Sequence, residues 1–293
     1  MKKKNSSQKE SAALRFFYHT VPGRILLKPM VSRGFSRLCG AFLSCRLSKF
    51  LIPGFVRKNG ICLADYESEG FRSFNDCFSR KIRDGKRPID RDPDALISPC
   101  DGLLSVYPLT GDRVLPVKQS SYTLGRLLQN PELEKTFADG MCLVFRLCVN
   151  HYHRYVYAES GRKSENRFLP GVLHTVRPIA LETFPVFTEN CREYTVIQTE
   201  RFGKILQMEV GAMLVGKIKN RQTSAGAVLR GEEKGCFLYG GSTIILLLQK
   251  GAASLPDAFF KATAEGKEIP VCMGMRLNVQ DSSGIEKSEI PTV

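Results

Sequence analysis

From Ala95 to Gln249 the chain is a succession of short runs rich in β-branched and other apolar residues. They read "ALIS", "LLSVY", "CLVFRLCV", an alternation around Tyr155 to Tyr157, "YTVIQTE", "KILQMEVG", "MLVGKIK" and "TIILLLQ", with Gly, Pro, Asn and Asp between them. Runs this short, punctuated by turn formers, predict a mainly antiparallel β body, because antiparallel neighbours need only tight connections. One helical interruption is expected near "SYTLGRLLQNPELEKTFADG". Upstream, "SFNDCFSRKIRDGKRP" reads as one short helix: Ser73 caps it, Phe74, Phe78 and Ile82 form its stripe, and Gly85 with Pro88 ends it. Glycines 211 and 216 in "EVGAMLVGKI" mark close backbone approach, most simply within a core strand. The fold class expected is α+β.

The front of the chain has a different texture. Residues 1–58 hold thirteen Lys and Arg against the single acid Glu10, so this segment carries +12 of the net +14. The rest is close to neutral. The first 13 residues are polar and read as disordered. Residues 14–58 read as helical pieces broken at Pro22-Gly23, Pro29 and Pro53-Gly54. In "VSRGFSRLCGAFL", Val31, Phe35, Leu38 and Phe42 share one helical face, with Arg33 and Arg37 on the other. Two readings fit: a helix lying in a lipid headgroup layer, or a helix packed on the body with its basic face solvated. Nucleic acid is not expected as a partner, since no helix-turn-helix, zinc-finger or RNA-binding signature accompanies the charge. The division expected is a basic, amphipathic, membrane-docking region over 1–58 and a catalytic body over 59–293.

No unbroken apolar run is longer than Ile244 to Leu248, which is far short of the roughly twenty residues a spanning helix needs. The start "MKKKNSSQKESAAL" has a positive stretch but no continuous apolar segment after it, so no secretory signal is expected. Ten cysteines stand singly with no C-x-x-C pair, which fits reduced thiols in a cytoplasmic compartment and no structural zinc.

Three places hold residues that do chemistry. Asp101 sits in "SPCDG", where Asp-Gly also serves plain turn chemistry. His151 and His153 lie in "NHYHRYVY"; alternate strand positions would point both to one face, but no acidic or cysteine partner stands at metal-ligand spacing. Gly240-Gly241-Ser242-Thr243 precedes the apolar run at 244–248, either as a simple turn into a buried strand or as a serine placed to attack its own backbone.

In order, "FNDCFSRKIRDGKRPI", "SPCDG", "HYHRY", "VFTENCREYTVI", "MEVGAMLVGKI" and "GGSTIILL" resemble the landmarks of the pyruvoyl-dependent phosphatidylserine decarboxylases, from about Phe74 to Gln249. The resemblance implies that Ser242 attacks the Gly241 carbonyl and that the chain divides there. A large chain 1–241 and a small chain 242–293 would result, with Ser242 converted to a pyruvoyl group. Glycine on the carbonyl side admits the contorted approach without a Cβ clash. The pyruvoyl ketone would condense with the serine headgroup amine and take up electrons as CO₂ leaves. By the same resemblance Asp101 is the carboxylate that orients the base, and a phospholipid at an anionic membrane surface is the substrate. The cytoplasmic side of the cell membrane, with peripheral attachment, is the expected location, and a homo-oligomer is compatible with this reading.

One departure stands out. The family's stretch is Asp-Tyr-His-Arg-x-His, its second histidine the self-cleavage base; here Val156 takes that position and His151 the leading Asp. A valine cannot accept a proton. The expectation is therefore that His153 is the base, with His174 in "GVLHTVRP" next and His151 third. The same departure also fits an unprocessed, catalytically silent lipid-binding homologue.

Overall fold

The computed structural model describes residues 12–67, 70–110, 113–117, 120–181, 184–212, 217–239 and 242–280. The expected cleavage bond therefore has Ser242 inside the described residues and Gly241 outside them, as Gly216 is.

The front end is helical, as α1 (Ala12–His19), α2 (Val21–Met30), α3 (Arg33–Ser44) and α4 (Leu51–Asn59), with a 3₁₀ turn at Arg46–Phe50. The breaks differ from those the prolines predict. Pro22 lies in the first turn of α2, where a missing N–H costs nothing, and Thr20 caps that helix by accepting from the Gly23 N–H. Gly23 is inside the helix because a Cβ there would lie 2.0 Å from the Phe16 carbonyl oxygen of α1. Pro53-Gly54 likewise falls near the start of α4. The real stop before α3 is Ser32, whose Oγ accepts from the Phe35 N–H.

The orientation of α3 is the larger difference. Val31 precedes it. Leu38 and Phe42 are 72% and 46% exposed, whereas Ser36, on the arginine side, is 5% exposed. The helix therefore packs on the body through Ser36 and Leu43, and leaves Leu38 and Phe42 exposed together with Arg33 and Arg37. The stripe of Val31, Phe35, Leu38 and Phe42 is thus not the face that packs, and two of its members stay uncovered.

Strands β1 (Tyr66–Glu67) and β2 (Lys81–Ile82) pair on either side of α5 (Phe74–Phe78). Ser73 caps α5 as expected, accepting from the Asp76 N–H, but the helix ends at Phe78 and Ile82 belongs to β2. Arg80 is the reason: its guanidinium is buried and takes up the Cys77 and Phe78 carbonyls that a longer helix would use.

The body follows as β3 (Gly102–Pro108), β4 (Arg113–Val117), β5 (Ser120–Thr123), α6 (Leu124–Leu128), α7 (Pro131–Phe137), β6 (Met141–Leu147), β7 (Arg154–Val156), β8 (Gly161–Lys163) and β9 (Arg167–Leu169). After these come α8 (Pro178–Leu181), α9 (Val186–Glu189), β10 (Arg192–Gln198), β11 (Lys204–Gly211), β12 (Ile218–Asn220), β13 (Gly226–Val228), β14 (Glu233–Phe237), β15 (Ser242–Leu248), α10 (Asp257–Ala264) and β16 (Ile269–Val271). The helical interruption expected near 121–140 is thus two short helices, α6 and α7. The ladders among the described strands are antiparallel, and the fold is α+β as the sequence predicts.

The main sheet runs β13-β8-β10-β11-β15-β6-β3-β16, with β9 also on β10; a smaller sheet, β12-β14-β7, lies against it. Strand β15 is central, paired over Ser242–Leu248 with both β11 and β6. One core, with Leu206, Met208, Ile245 and Leu247, packs under the helices; another, with Phe145, Tyr155, Phe237, Ile244 and Leu246, packs under the smaller sheet and α10. Both faces of β15 are therefore covered, which is why residues 244–248 read as an unbroken apolar run instead of alternating. Each of those side chains is fully buried, worth about 1.5–3 kcal/mol relative to exposure.

Candidate active site

Ser242 begins β15, opposite Gly211 at the end of β11 and Leu147 at the end of β6. Beyond Leu147 the chain turns through Cys148–Tyr152 to His153. Asp101 stands immediately before β3, which pairs with β6 at Leu103–Arg146. One end of three adjacent strands thus gathers Ser242, the histidine loop and Asp101.

The Ser242 side chain is fully buried, and its Oγ has no hydrogen-bond partner among the described residues. An unpaired buried hydroxyl costs about 1–3 kcal/mol, so its retention needs a reason beyond packing. It sits at the start of β15, between the ends of β11 and β6.

His153 is also fully buried. Its Nδ1 lies 2.9 Å from the His151 carbonyl oxygen, so Nδ1 carries the proton and donates, leaving the Nε2 lone pair free. Nε2 has no partner among the described residues. Burial, with help from the Arg80 charge, pushes the His153 pKa down to about 3, so the ring is neutral at ordinary pH. Arg80 also braces this loop, donating through Nη2 to the carbonyls of Asn150 and His151 at 3.2 Å each while lying 4.2 Å over the Tyr66 ring.

The segment entering Ser242 is pinned beside His153. The N–H of Phe237 donates to the His153 carbonyl at 2.9 Å, that of Leu238 to the Lys217 carbonyl at 3.1 Å, and that of Tyr239 to Asn75 Oδ1 at 3.0 Å. The Phe78 ring lies 4.0 Å from the His153 ring and 5.1 Å from Tyr239. On the far side of Ser242, fully buried Asn190 donates from Nδ2 to the Gly211 carbonyl at 2.7 Å and the His174 carbonyl at 2.8 Å, and accepts the His174 N–H at 2.9 Å.

Asp101 is not hydrogen-bonded to a histidine. Its carboxylate accepts Nε and Nη2 of Arg87 at 2.8 and 2.6 Å, and the Met273 N–H at 2.9 Å. Its field does reach His151, whose pKa burial lowers and Asp101 pulls back up; His151 Nδ1 accepts from the Cys148 N–H. Val156 is buried in an apolar cluster, and its N–H donates to the Pro99 carbonyl, just before Asp101. The position of the family's second histidine therefore lies beside the Asp101 loop. His174 is turned elsewhere: Nδ1 faces the Tyr18 hydroxyl at 3.4 Å, Nε2 faces Glu189 at 3.9 Å, and Phe184 stacks on its ring. Burial lowers its pKa to about 4.

The structure thus gathers the expected Ser242, His153 and Asp101 at one sheet end and adds around them Arg80, Arg87 and Asn190, with Lys234 on β14, for which the sequence suggests no contact. Arg80 and Arg87 lay within the quoted "FNDCFSRKIRDGKRPI", and Asn190 within "VFTENCREYTVI", so the signal was present without an assigned contact. Lys234 pairs with Glu209 at 2.5 Å, both side chains fully buried, and Asn220 bonds that carboxylate as well.

A buried serine and a neutral histidine meet at the end of an antiparallel sheet, with an arginine-held carboxylate nearby. The profile of the phosphatidylserine decarboxylases matches residues 74–277, and the chain belongs to that family. Similar relatives include phosphatidylserine decarboxylase proenzyme 2 of Clostridium acetobutylicum, 40% identical over 92% of both chains. The phosphatidylserine decarboxylase proenzymes of Ruminiclostridium cellulolyticum (37% identical over 89% of both) and Clostridium botulinum strain Alaska E43 (36% over 89% of this chain and 90% of the relative) are also similar.

Proposed function

We propose that this chain is the precursor of a phosphatidylserine decarboxylase that severs its own Gly241–Ser242 bond and forms phosphatidylethanolamine and CO₂. The observation that carries the reading is the buried, unpaired Ser242 hydroxyl at the sheet end that also holds His153. Family membership and relatives named as proenzymes support it.

In this reading His153 Nε2 takes the Ser242 Oγ proton, since it is the lone-pair nitrogen of a neutral ring. Oγ then bonds to the Gly241 carbonyl carbon as the Gly241–Ser242 C–N bond breaks, leaving an ester and a free amine. Loss of the Ser242 α-proton breaks the Cβ–Oγ bond and releases the Gly241 carboxylate. Water replaces the nitrogen, which leaves as ammonia. The pyruvoyl group so formed on residue 242 supplies an electrophilic ketone that accepts electrons as CO₂ departs. Asn190 fixes the Gly211 strand end behind that residue, and Phe78 and Asn75 hold the upstream segment.

Peripheral attachment to the cytoplasmic face of the cell membrane is part of the proposal. Phe16, Val21, Ile25, Leu26, Leu38 and Phe42 are exposed large apolar residues on α1–α3, within the segment that carries most of the net charge. No single described helix is long and apolar enough to cross a membrane; α3 together with residues 46–59 passes on length and composition only as a pair bent by 74°. Ten unpaired cysteines support a reducing compartment.

The silent, lipid-binding reading is favoured by Val156 and by the arginine that occupies Asp101. Denaturing electrophoresis with mass measurement of the small chain decides. A fragment 242–293 with a carbonyl-reactive end supports the enzyme; an intact folded chain without decarboxylation refutes it.

A further inference from the structure

The orientation of α3 sets two exposed cations, Arg33 and Arg37, beside a buried serine at the mouth of a cavity. Arg33, Ser36 and Arg37 point from one side of α3 into a cavity of about 510 Å³ whose opposite wall includes Leu173, Lys217 and Leu238. That volume is in the range of roughly 300–1,000 Å³ usual for small-molecule sites. Among the described residues no carboxylate lies within ion-pair reach of Arg33, Arg37 or Lys217. Three exposed cations thus ring one cavity without a carboxylate among them, Arg33 lying 5.7 Å from the Phe168 ring, and the positive potential they create favours an anion.

A second observation points the same way. The Ser36 side chain is more than nine-tenths buried, lines this cavity, and its Oγ has no hydrogen-bond partner among the described residues. A hydroxyl and guanidinium groups together suit a phosphate or phosphodiester better than a carboxylate-free apolar ligand, because guanidinium forks match paired phosphate oxygens.

Position links the cavity to the reacting bond. Lys217 and Leu238 are joined by a backbone hydrogen bond, and Leu238 lies on the segment that runs into Ser242. Across Ala41, the same helix walls an apolar pocket of about 400 Å³ lined by Leu38, Phe42, Leu43 and Tyr239. One helix therefore separates an anion-seeking cavity from an apolar pocket, and both touch consecutive residues, Leu238 and Tyr239, just before the site.

We propose that this cavity binds the phosphodiester of a glycerophospholipid, with Arg33, Arg37 and Lys217 as its cations and the Ser36 hydroxyl as a hydrogen-bond donor, while the apolar pocket takes the start of an acyl chain. The assignment rests on the phosphatidylserine reading for the identity of the lipid. The amphipathic face of α3 then has two tasks: its outer side meets lipid, and its inner side meets the headgroup of one lipid molecule.

The test uses dihexanoyl phosphatidylserine below its micelle concentration, so that attraction to a bilayer plays no part. In the processed enzyme, Arg33→Ala/Arg37→Ala should raise KM at least tenfold, change kcat less than threefold, and leave the division into two chains unaltered. Arg→Lys at both positions should restore part of the affinity, and Arg57→Ala/Lys58→Ala, on α4, should change nothing. Inorganic phosphate should compete with the lipid in the parent and lose that effect in the double alanine variant, which separates a general phosphate cradle from one needing the whole headgroup. An unchanged KM in the variant, or a defect seen only on anionic vesicles, overturns the subsite while leaving the decarboxylase reading intact. Calorimetry of the Ser242→Ala chain with the same lipid tests the subsite independently of catalysis. Arginine-dependent binding there supports it even if the parent lacks decarboxylase activity, and equal binding by the Ser242→Ala/Arg33→Ala/Arg37→Ala chain refutes it.

Discussion

Lys234→Met should uncover how the strand feeding Ser242 is held. Lys234 on β14 and Glu209 on β11 are both fully buried, and Nζ lies 2.5 Å from Oε2. The other carboxylate oxygen, Oε1, has no partner among the described residues. Removing the ammonium leaves a buried carboxylate with only the Asn220 amide at 3.2 Å. Breaking such a pair costs about 3–5 kcal/mol, a large part of a domain's usual 5–15 kcal/mol. The cost has a pH signature. Burial raises the Glu209 pKa above its ordinary value, and Lys234 lowers it; without Lys234 the native carboxyl keeps its proton to higher pH. The native state then binds more protons than the unfolded chain, so stability falls as pH rises, by about 1.4 kcal/mol per unit between the unfolded carboxyl pKa and the raised native one. Urea unfolding in a Ser242→Ala background, which keeps the chain whole, should show a larger deficit at pH 8 than at pH 5.5. Glu209→Gln/Lys234→Met should recover most of it and, with Ser242 restored, regain chain division. A deficit below about 1 kcal/mol that ignores pH, or a double variant as weak as the single one, would refute the argument.

Other consequences are as direct. His153→Ala should slow chain division about 10²–10⁴-fold, with His174→Ala near the parent rate; because His153 titrates only near pH 3, the parent rate should stay flat from pH 8 to pH 5 as far as this base is concerned. Arg87→Ala strips the nearly buried Asp101 carboxylate of two charge-assisted bonds and should destabilise the Ser242→Ala chain by about 2–3 kcal/mol in urea unfolding near neutral pH. Leu38→Ser/Phe42→Ser should weaken flotation with phospholipid vesicles severalfold while thermal unfolding moves little, since both side chains are exposed.

The sheet was legible because its strands carry β-rich patterns, and β15 because both its faces are covered. Ser242, His153 and Asp101 stand out in the sequence because short motifs surround them, and the fold brings those motifs to one sheet end. The direction of α3 was not legible: periodicity tells which side chains share a face but leaves open whether that face meets protein, water or lipid. The extent of α5 was obscured by Arg80, whose partners Asn150 and His151 lie seventy and seventy-one positions further on. The pairing of Lys234 with Glu209 is not visible in the sequence, because burial of an ion pair depends on two strands meeting. Val156 shows the opposite limit: its identity was plain from the motif, but its proximity to the Asp101 loop came only with the fold.

Strand β15 has one more implication. A chain severed before Ser242 would give its lighter fragment the middle strand of the main sheet, hydrogen-bonded along its full length on both flanks. That fragment would also carry β16, which lies on the far edge beside β3. The two products would be interlaced, so parting them would mean dismantling the whole molecule, and the vanished peptide link would no longer guide reassembly. Maturation of this kind works as a ratchet: the finished enzyme persists while folded, but once pulled apart it has lost the continuous template that built it.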